Sequence, residues 1–218
     1  MKKTGILILC LFGLAQLASI AAAQGAADEF VLGKHYQAVT PAQPVQAGDK
    51  IEVLEVFWYG CPHCYDFEPY IDRWLSTKAA DVEFRRMPAV FRQSWAAHAK
   101  AYYTAEALGV VDKIHAPLFK AIHEEKRTLD NESSLADFFA KYGVNKEEFS
   151  KTFNSFTVES KVRQAMHMVR QYGVNGVPAV IVSGKYQTSG SLAGSYEQLL
   201  KVIDYLVDKE RQGSAKPQ

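Results

Sequence analysis

Hydrophobic residues along this chain follow two different spacings, one typical of strands and one typical of helices. The run from Ile51 to Trp58 is rich in β-branched and aromatic residues and has few polar ones. That composition is typical of a central, usually parallel strand that is covered on both faces. Gly60 ends the run, and apolar residues then recur at helical spacing from Phe67 to Leu75. The pattern predicts a central strand that leads directly into an amphipathic helix.

Four shorter segments carry further strand signals. Tyr36–Val39 is a candidate first strand, and alternating residues predict another strand over Val82–Met87, ended by Pro88. Much later in the chain, Val177–Val182 and Tyr186–Thr188 flank a Ser-Gly-Lys turn and predict a β-hairpin. The sheet is therefore expected to come from two separated parts of the chain.

Between these two parts, over residues 94–172, the hydrophobic spacing stays helical. Asn145 followed by Glu148 has the form of a capping box, and Thr157 is predicted to cap a longer helix that ends at Gly173. The other helices predicted in this region are Trp95–Leu108, Lys113–Glu125 and Ser134–Tyr142. A last helix follows a second capping box, Ser195 with Gln198, and the polar residues 211–218 are expected to form a flexible tail.

The N-terminus has the organisation of a secretory signal peptide. Two lysines precede an apolar stretch from Ile6 to Ile20, and three alanines at 21–23 provide a cleavage site. We therefore expect residues 1–23 to be removed, since the stretch is too short and wrongly flanked for a membrane span. Cys10 lies inside this stretch, after a leucine where a lipoprotein signal would need a small residue, and we expect it to be removed with the signal.

Charge and cysteine content limit the partners and the disulfides that this chain can have. The formal net charge is +1, and it becomes about −1 without the two N-terminal lysines, so nothing indicates nucleic acid or anionic lipid as a partner. After signal removal only Cys61 and Cys64 remain, and no other internal disulfide is possible.

The two cysteines form a C-x-x-C pair where the predicted strand meets the predicted helix. Pro62 suits the first helical position, which makes Cys61 the expected N-cap. Unpaired N–H groups and the positive end of the helix dipole favour a thiolate there, so we expect a lowered pKa for Cys61 and not for Cys64. We interpret the pair as a redox site.

Two neighbouring residues could tune this pair. His63 lies between the cysteines and could lend an N–H or a positive charge to the Cys61 sulfur, although an exposed polar spacer is the alternative. Glu55 lies on the same strand face as Val53 and Phe57. Buried there, its carboxyl would have a raised pKa and could exchange a proton with Cys64; the alternative is a solvated charge at a sheet edge.

Other uses of the C-x-x-C pair also need weighing. It could be half of a zinc site, but there is no second C-x-x-C and the remaining histidines lack ligand spacing. It could be an inert structural bridge, but so short a loop constrains an unfolded chain weakly.

The segment Phe57–Cys64, Phe-Trp-Tyr-Gly-Cys-Pro-His-Cys, resembles the active-site segment of the DsbA family, bacterial periplasmic thiol:disulfide oxidases of the thioredoxin superfamily. Pro-His between the cysteines is typical of that family. The resemblance implies an α/β thioredoxin-like fold with an inserted all-helical domain. The thioredoxin-like domain would comprise residues 36–90 and 166–210, the helical insertion residues 91–165, and the tail residues 211–218.

A second loop, Gly176-Val177-Pro178, resembles the cis-proline loop of the superfamily, which faces the cysteines. Statistics alone favour a trans bond before Pro178, because only about 5–6% of X–Pro bonds in folded proteins are cis. The resemblance implies the cis form, with backbone groups of Val177 beside Cys61, where an extended peptide could add like a strand. The site residues implied are Cys61, Cys64, His63 and Glu55 as catalytic, Pro62 within the motif, and Val177 and Pro178 as substrate-binding.

The function implied by the resemblance is that of a periplasmic dithiol oxidase. It would donate the Cys61–Cys64 disulfide to reduced exported proteins through a mixed disulfide at Cys61, as a monomer without metal or organic cofactor. A DsbB-like, quinone-linked membrane protein would reoxidise it. The alternatives are a disulfide isomerase or reductase, and a thioredoxin-like protein whose C-x-x-C holds a metal.

Overall fold

The computed structural model of this protein describes residues 30–214. The expected signal peptide, residues 1–23, and the last four residues of the expected tail lie outside the described residues. Within the described part of the chain, no helix has the length and apolar character needed to cross a membrane.

In residues 30–214, five strands form one mixed sheet. They are β1 (Gln37–Ala38), β2 (Ile51–Phe57), β3 (Val82–Pro88), β4 (Ala179–Val182) and β5 (Tyr186–Thr188). Their order across the sheet is β1-β5-β4-β2-β3. Strand β2 is interior, parallel to β3 and antiparallel to β4, and all its residues from Glu52 to Phe57 are buried. Burial on both faces is confirmed, while the expected parallel pairing holds on one side only.

Helices follow β2, occupy the chain between β3 and β4, and follow β5. They are α1 (Pro62–Thr77), α2 (Ala96–Ala107), α3 (Val111–His123), α4 (Glu132–Ala140), α5 (Lys146–Phe153), α6 (Phe156–Gln171), α7 (Gly190–Ala193) and α8 (Tyr196–Ser214). A short 3₁₀ turn, Gln93–Trp95, precedes α2. Asn145 caps α5 by accepting hydrogen bonds from the backbone of Glu147 and Glu148, as its sequence pattern predicts.

Two hydrophobic cores hold the active-site helix and the helical segment in place. Around α1, the buried side chains include Val53, Phe67, Ile71, Val182 and Leu206, contributed by β2, β4, α1 and α8. A second core joins β2 to helices α2–α6, and its largest buried members include Phe57, Phe119, Phe138, Phe139 and Phe149. Each such side chain contributes about 1.5–3 kcal/mol by its burial. The C-terminal end of β2 and the start of α1 are therefore fixed from both sides.

The start of α6 differs from the prediction. Thr157 was expected to cap this helix, but the Oγ atom of Ser155 accepts a hydrogen bond from the backbone N–H of Val158 at 3.3 Å and caps it instead. Starting the helix two residues earlier leaves Phe156 exposed while Val158 turns into the core. The burial of Val158, and not a difference between the two hydroxyl residues as caps, accounts for this start.

Two further boundaries also differ from the prediction. Helix α8 continues to Ser214, so residues 211–214 do not belong to a flexible tail. Within this last turn the guanidinium of Arg211 binds both carboxylate oxygens of Asp81 at 2.7 Å. The predicted domain boundary between residues 165 and 166 falls inside α6, which is one continuous helix. The division into two domains otherwise stays a prediction.

Candidate active site

The two cysteines lie at the N-terminus of α1, shortly after the C-terminal end of β2. Cys61 is the N-cap and Pro62 the first helical residue, as the sequence predicts. Both cysteines are free thiols, and Cys61 is 8% exposed whereas Cys64 is 0% exposed. In the thiol form Cys61 caps no N–H of the first turn. Its S–H points instead to the carbonyl oxygen of Val177, 3.4 Å away.

The surroundings push the pKa values of the two thiols in opposite directions. The pKa of Cys61 is lowered to about 6, mainly by a hydrogen bond from the Cys64 thiol. Burial opposes this shift, and the backbone N–H groups of Cys64 and His63 and the charge of His63 support it. The pKa of Cys64 is raised, because burial penalises its thiolate and because its proton is engaged at Cys61. The pair thus consists of one slightly exposed, acidic thiol and one fully buried thiol that keeps its proton.

The Gly176–Pro178 loop faces the cysteines. The peptide bond between Val177 and Pro178 is cis, as the resemblance implies, and it precedes β4 directly. The contact between the Val177 carbonyl and the Cys61 sulfur places a backbone group beside the reactive atom. The geometry expected of this loop is present.

Glu55 is a buried carboxyl and not a solvated edge charge. Its side chain is fully buried, and its Oε2 atom accepts a hydrogen bond from Nε of Arg86 at 2.9 Å. Burial raises its pKa to about 7, against the opposing effect of the Arg86 charge. None of the residues that the structure describes hydrogen-bonds to its second oxygen, Oε1. A group with these properties can release or take up a proton near neutral pH.

Three residues that the sequence did not single out extend this buried cluster. Arg86 also approaches Glu68, with 3.5 Å between Nη2 and Oε2, and Glu68 lies 3.3 Å from Nε2 of His115. Burial raises the pKa of Glu68 to about 7 and lowers that of His115 to about 3. The other ring nitrogen of His115 shares a 2.9 Å hydrogen bond with the hydroxyl of Tyr59. One signal was available, since Glu68 lies one helical turn beyond Cys64 on the buried face of α1.

Comparison with known proteins gives this geometry a context. A family model described as DSBA-like thioredoxin domain matches residues 52–204. The chain is 46% identical over 186 residues to the thiol:disulfide interchange protein DsbA of Pseudomonas syringae, covering 85% of this chain and 87% of the relative. It is 41% identical over 208 residues to the protein of the same name from Pseudomonas aeruginosa, covering 95% and 99%. The chain belongs to the DsbA family.

Solved structures agree with this assignment. The crystal structure of Pseudomonas aeruginosa DsbA superposes with a TM-score of 0.83 at 43% identity, covering 87% of this chain and 99% of that one. The oxidoreductase DsbA from Xylella fastidiosa superposes with a TM-score of 0.79 at 36% identity, covering 84% and 98%. The α/β thioredoxin-like fold is confirmed, and this DsbA family member is a thiol:disulfide oxidoreductase.

Two tryptophans support the loop that carries the cysteines in this DsbA family member. The indole rings of Trp58 and Trp95 stack in parallel, with centroids 3.9 Å apart and an interplanar angle of 4°. A Cβ atom on Gly60 would lie 2.3 Å from the ring of Trp58. Glycine is therefore required between Tyr59 and Cys61, since any side chain there would displace the stacked pair.

His63 lies on the surface of the first turn of α1, so its ring is exposed as the spacer interpretation requires. Its backbone N–H and its charge nevertheless lower the pKa of Cys61. Its carbonyl oxygen accepts a 2.9 Å hydrogen bond from the hydroxyl of Tyr196. The two interpretations of His63 are therefore compatible.

Two depressions flank the Gly176–Pro178 loop. One, of about 500 Å³, runs past His63 toward α7 and α8 and is bordered by polar side chains such as Asn175, Gln187 and Ser189. The other, of about 410 Å³, includes Cys61 and aromatic residues, and its ring-bearing members are Trp58, Phe91 and Trp95. In the described residues, no group of three or more His, Cys, Asp or Glu side chains is placed to hold a metal ion.

Proposed function

We propose that this protein is a periplasmic dithiol oxidase that donates the Cys61–Cys64 disulfide to reduced, newly exported proteins. The observation that carries the proposal is the opposite shift of the two thiol pKa values at one helix N-terminus. A disulfide is broken most readily when the sulfur that departs is a stable thiolate. Cys61 meets that condition when it departs from the mixed disulfide in the second step, and its stable thiolate favours the reduced pair at equilibrium, so the oxidised form is expected to be a strong oxidant.

Cys61 is the sulfur that the substrate attacks. A substrate thiolate forms a mixed disulfide with Cys61, and the bond to Cys64 breaks. A second substrate thiolate then attacks the substrate sulfur of the mixed disulfide, which releases the oxidised substrate and leaves Cys61 as a thiolate. Cys61 is the partly accessible sulfur of the pair, and Cys64 has no exposed surface.

Glu55 supplies the proton that Cys64 needs when it departs. Cys64 leaves as an anion in a buried environment that disfavours the anion, so protonation must accompany bond cleavage. The carboxyl of Glu55 holds a proton near neutral pH because its pKa is raised to about 7. Arg86 orients this carboxyl through a 2.9 Å hydrogen bond and compensates its charge once the proton has left, whereas the nearby carboxyl of Glu68 favours the protonated form.

The loop of Val177 and Pro178 positions the substrate. The Val177 carbonyl faces the Cys61 sulfur at 3.4 Å, so an extended peptide whose cysteine reaches Cys61 would run beside this backbone. Such backbone recognition depends little on side chains, which suits an enzyme that acts on many unfolded chains. Pro62 begins the helix and His63 supports the Cys61 thiolate.

The remaining parts of the proposal concern location and partners. The N-terminal pattern of residues 1–23 supports export through a cleavable signal peptide. Catalytic turnover requires an electron acceptor for the reduced pair, for which we propose a DsbB-like, quinone-linked membrane protein. The enzyme is proposed to act as a monomer without metal or organic cofactor.

The first prediction tests the dithiol mechanism. Cys64→Ala should accumulate mixed disulfides with exported proteins. Its Cys61 thiolate can still attack a disulfide of an exported protein and release one thiol of that protein, but no Cys64 thiol remains to attack and resolve the mixed disulfide. Non-reducing electrophoresis of acid-quenched periplasmic extracts would detect them as complexes that disappear with reductant. Cys61→Ala is the matched control and should trap nothing. Equal trapping by the two variants, or none by Cys64→Ala, would contradict the proposal, and stoichiometric metal in the purified protein would favour the metal-binding alternative.

A second prediction concerns the proton donor. Glu55→Gln keeps the shape of the side chain but provides no acidic proton, so the reaction of the oxidised protein with a small thiol should slow by about tenfold or more at neutral pH. Stopped-flow fluorescence or quenched samples would give the rate. Glu52→Gln is the matched control, since Glu52 is also buried on β2 and paired with an arginine, Arg85, at 3.0 Å. Equal slowing of both variants would assign the effect to strand stability and not to proton transfer.

A further inference from the structure

A tyrosine at the start of α8 contacts the backbone of the dithiol motif. Tyr196 is the first residue of that helix, and its hydroxyl donates a 2.9 Å hydrogen bond to the carbonyl oxygen of His63. The two residues are 133 positions apart in sequence. The contact is therefore a tertiary one, made from outside α1 to a carbonyl of its first turn.

The carbonyl that accepts this bond belongs to a peptide group with a second role. The C=O of His63 and the N–H of Cys64 are the two ends of one planar amide. The backbone N–H of Cys64 is among the groups that lower the pKa of Cys61. A hydrogen bond accepted at the oxygen of an amide polarises the group and makes its N–H a stronger donor. The Tyr196 hydroxyl and the Cys61 sulfur are thus connected through one peptide unit.

We propose that Tyr196 is a positioning residue of the dithiol site, which holds and polarises the His63–Cys64 peptide group that faces the Cys61 sulfur. When Cys61 is a thiol, its proton points to Val177. When it is a thiolate it can only accept, and the N–H of Cys64 becomes one of its donors. Tyr196 therefore stabilises the thiolate selectively, and with it the reduced form of the pair.

The ring of Tyr196 is held so that its hydroxyl keeps this direction. It packs between Phe67 and Tyr70 of α1, with ring centroids 5.2 and 5.3 Å away. On the other side, a Cβ atom at Gly190 would lie 2.9 Å from the ring, so α7 leaves room for it only because residue 190 is glycine. These contacts hold the ring without its hydroxyl, so a phenylalanine at this position would keep the packing and lose only the hydrogen bond.

The test is Tyr196→Phe. We expect the pKa of Cys61 to rise by about 0.5 unit, since polarisation strengthens a hydrogen bond by only about 10–30%. The ultraviolet absorbance of the thiolate as a function of pH gives this value directly. At pH 7, the equilibrium constant for reduction of the disulfide by glutathione should fall roughly two- to threefold, because the thiolate that drives reduction is less stable. The thermal stability of the oxidised form should change little.

Tyr70→Phe is the matched control, because it removes a hydroxyl from the ring that packs against Tyr196 without touching the His63 carbonyl. It should leave the pKa of Cys61 unchanged. An unchanged pKa in Tyr196→Phe, or an equal shift in the control, would overturn the role of Tyr196. The inference rests on the proposed function, in which Cys61 is the attacked sulfur, and the two fail separately. Preferential alkylation of Cys64 would refute that assignment, whereas an acidic Cys61 with no response to Tyr196→Phe would refute only this inference.

Discussion

Limiting iodoacetamide at about pH 6.5 should modify Cys61 of the reduced protein and leave Cys64 unmodified. With a pKa of about 6, more than half of Cys61 is thiolate at that pH. A free cysteine with a pKa of about 8.5 is about 1% ionised under the same conditions. Cys64 is less reactive again, because it has no exposed surface and its pKa is raised. Mass spectrometry of peptides from the quenched reaction would identify the modified residue.

The size and pH dependence of this difference follow from two opposing effects. A thiolate of lower pKa is intrinsically less nucleophilic, with a Brønsted coefficient of about 0.4–0.5, which removes about tenfold of the advantage given by ionisation. We still expect Cys61 to react several-fold faster than a cysteine in an unfolded peptide at pH 6.5. Its rate should be level above about pH 7 and fall tenfold per unit below pH 6. A midpoint near 8.5, or modification of both cysteines together, would contradict the assignment of Cys61 as the attacked sulfur.

The second large effect is that the more stable redox form of the protein should change with pH. Closing the four-residue loop between Cys61 and Cys64 favours the oxidised fold by about 1.9 kcal/mol in the loop-entropy model. The Cys61 thiolate favours the reduced fold, because its pKa is lower in the folded state, about 6, than in the unfolded chain, about 8.5. A lowered pKa contributes stability that is complete above the unfolded value and is lost as pH falls through the folded value.

These two contributions give the pH at which the oxidised and reduced forms are equally stable. The thiolate contributes nearly nothing at pH 5, about 1.4 kcal/mol at pH 7 and about 2.5 kcal/mol at pH 8. The oxidised form should therefore be more stable below about pH 7, and the reduced form should equal or exceed it by pH 8. Above pH 8.5 the raised pKa of Cys64 works against the reduced fold, since an unfolded chain can ionise that thiol and the folded one cannot. The informative range is pH 5 to 8.

Guanidinium unfolding of both forms at pH 5, 7 and 8 would measure this. The difference between the two forms is the quantity to follow, because groups unaffected by the redox state cancel in it. A difference that does not change with pH would show that the Cys61 thiolate is not stabilised by folding. An oxidised form that stays more stable throughout would indicate a weak oxidant, and the reductase alternative would then be favoured.

The sequence predicted the parts of the site that depend on local order. Pro62 after Cys61 marks a helix start, and the apolar run of β2 marks the strand that leads to it, so the position of the cysteines followed from neighbouring residues alone. For Glu55 the sequence left two interpretations, and the buried one is correct because β2 is covered on both faces.

The partners of these residues could not be predicted in the same way. Arg86, Glu68 and His115 come from β3, α1 and α3, and nothing in their local sequence states that they meet beside Glu55. The hydrogen bond from Tyr196 to His63 likewise joins distant segments. The prediction of the residue that caps α6 was wrong for a related reason. Ser155 and Thr157 are similar as caps in isolation, and only the packing of Val158 distinguishes them.

The contacts between the helical segment and the loop that carries the cysteines determine whether one can be exchanged without the other. Trp95 stacks on Trp58, while two histidines of α3 bind Tyr59, His115 at its hydroxyl and His123 at its carbonyl oxygen, 2.7 Å away. Both contacted residues come shortly before Cys61 in sequence. A Cys-Pro-His-Cys motif transplanted onto a bare thioredoxin scaffold would lack all three supports. A functional chimera between family members would therefore have to exchange the helical segment and the loop together.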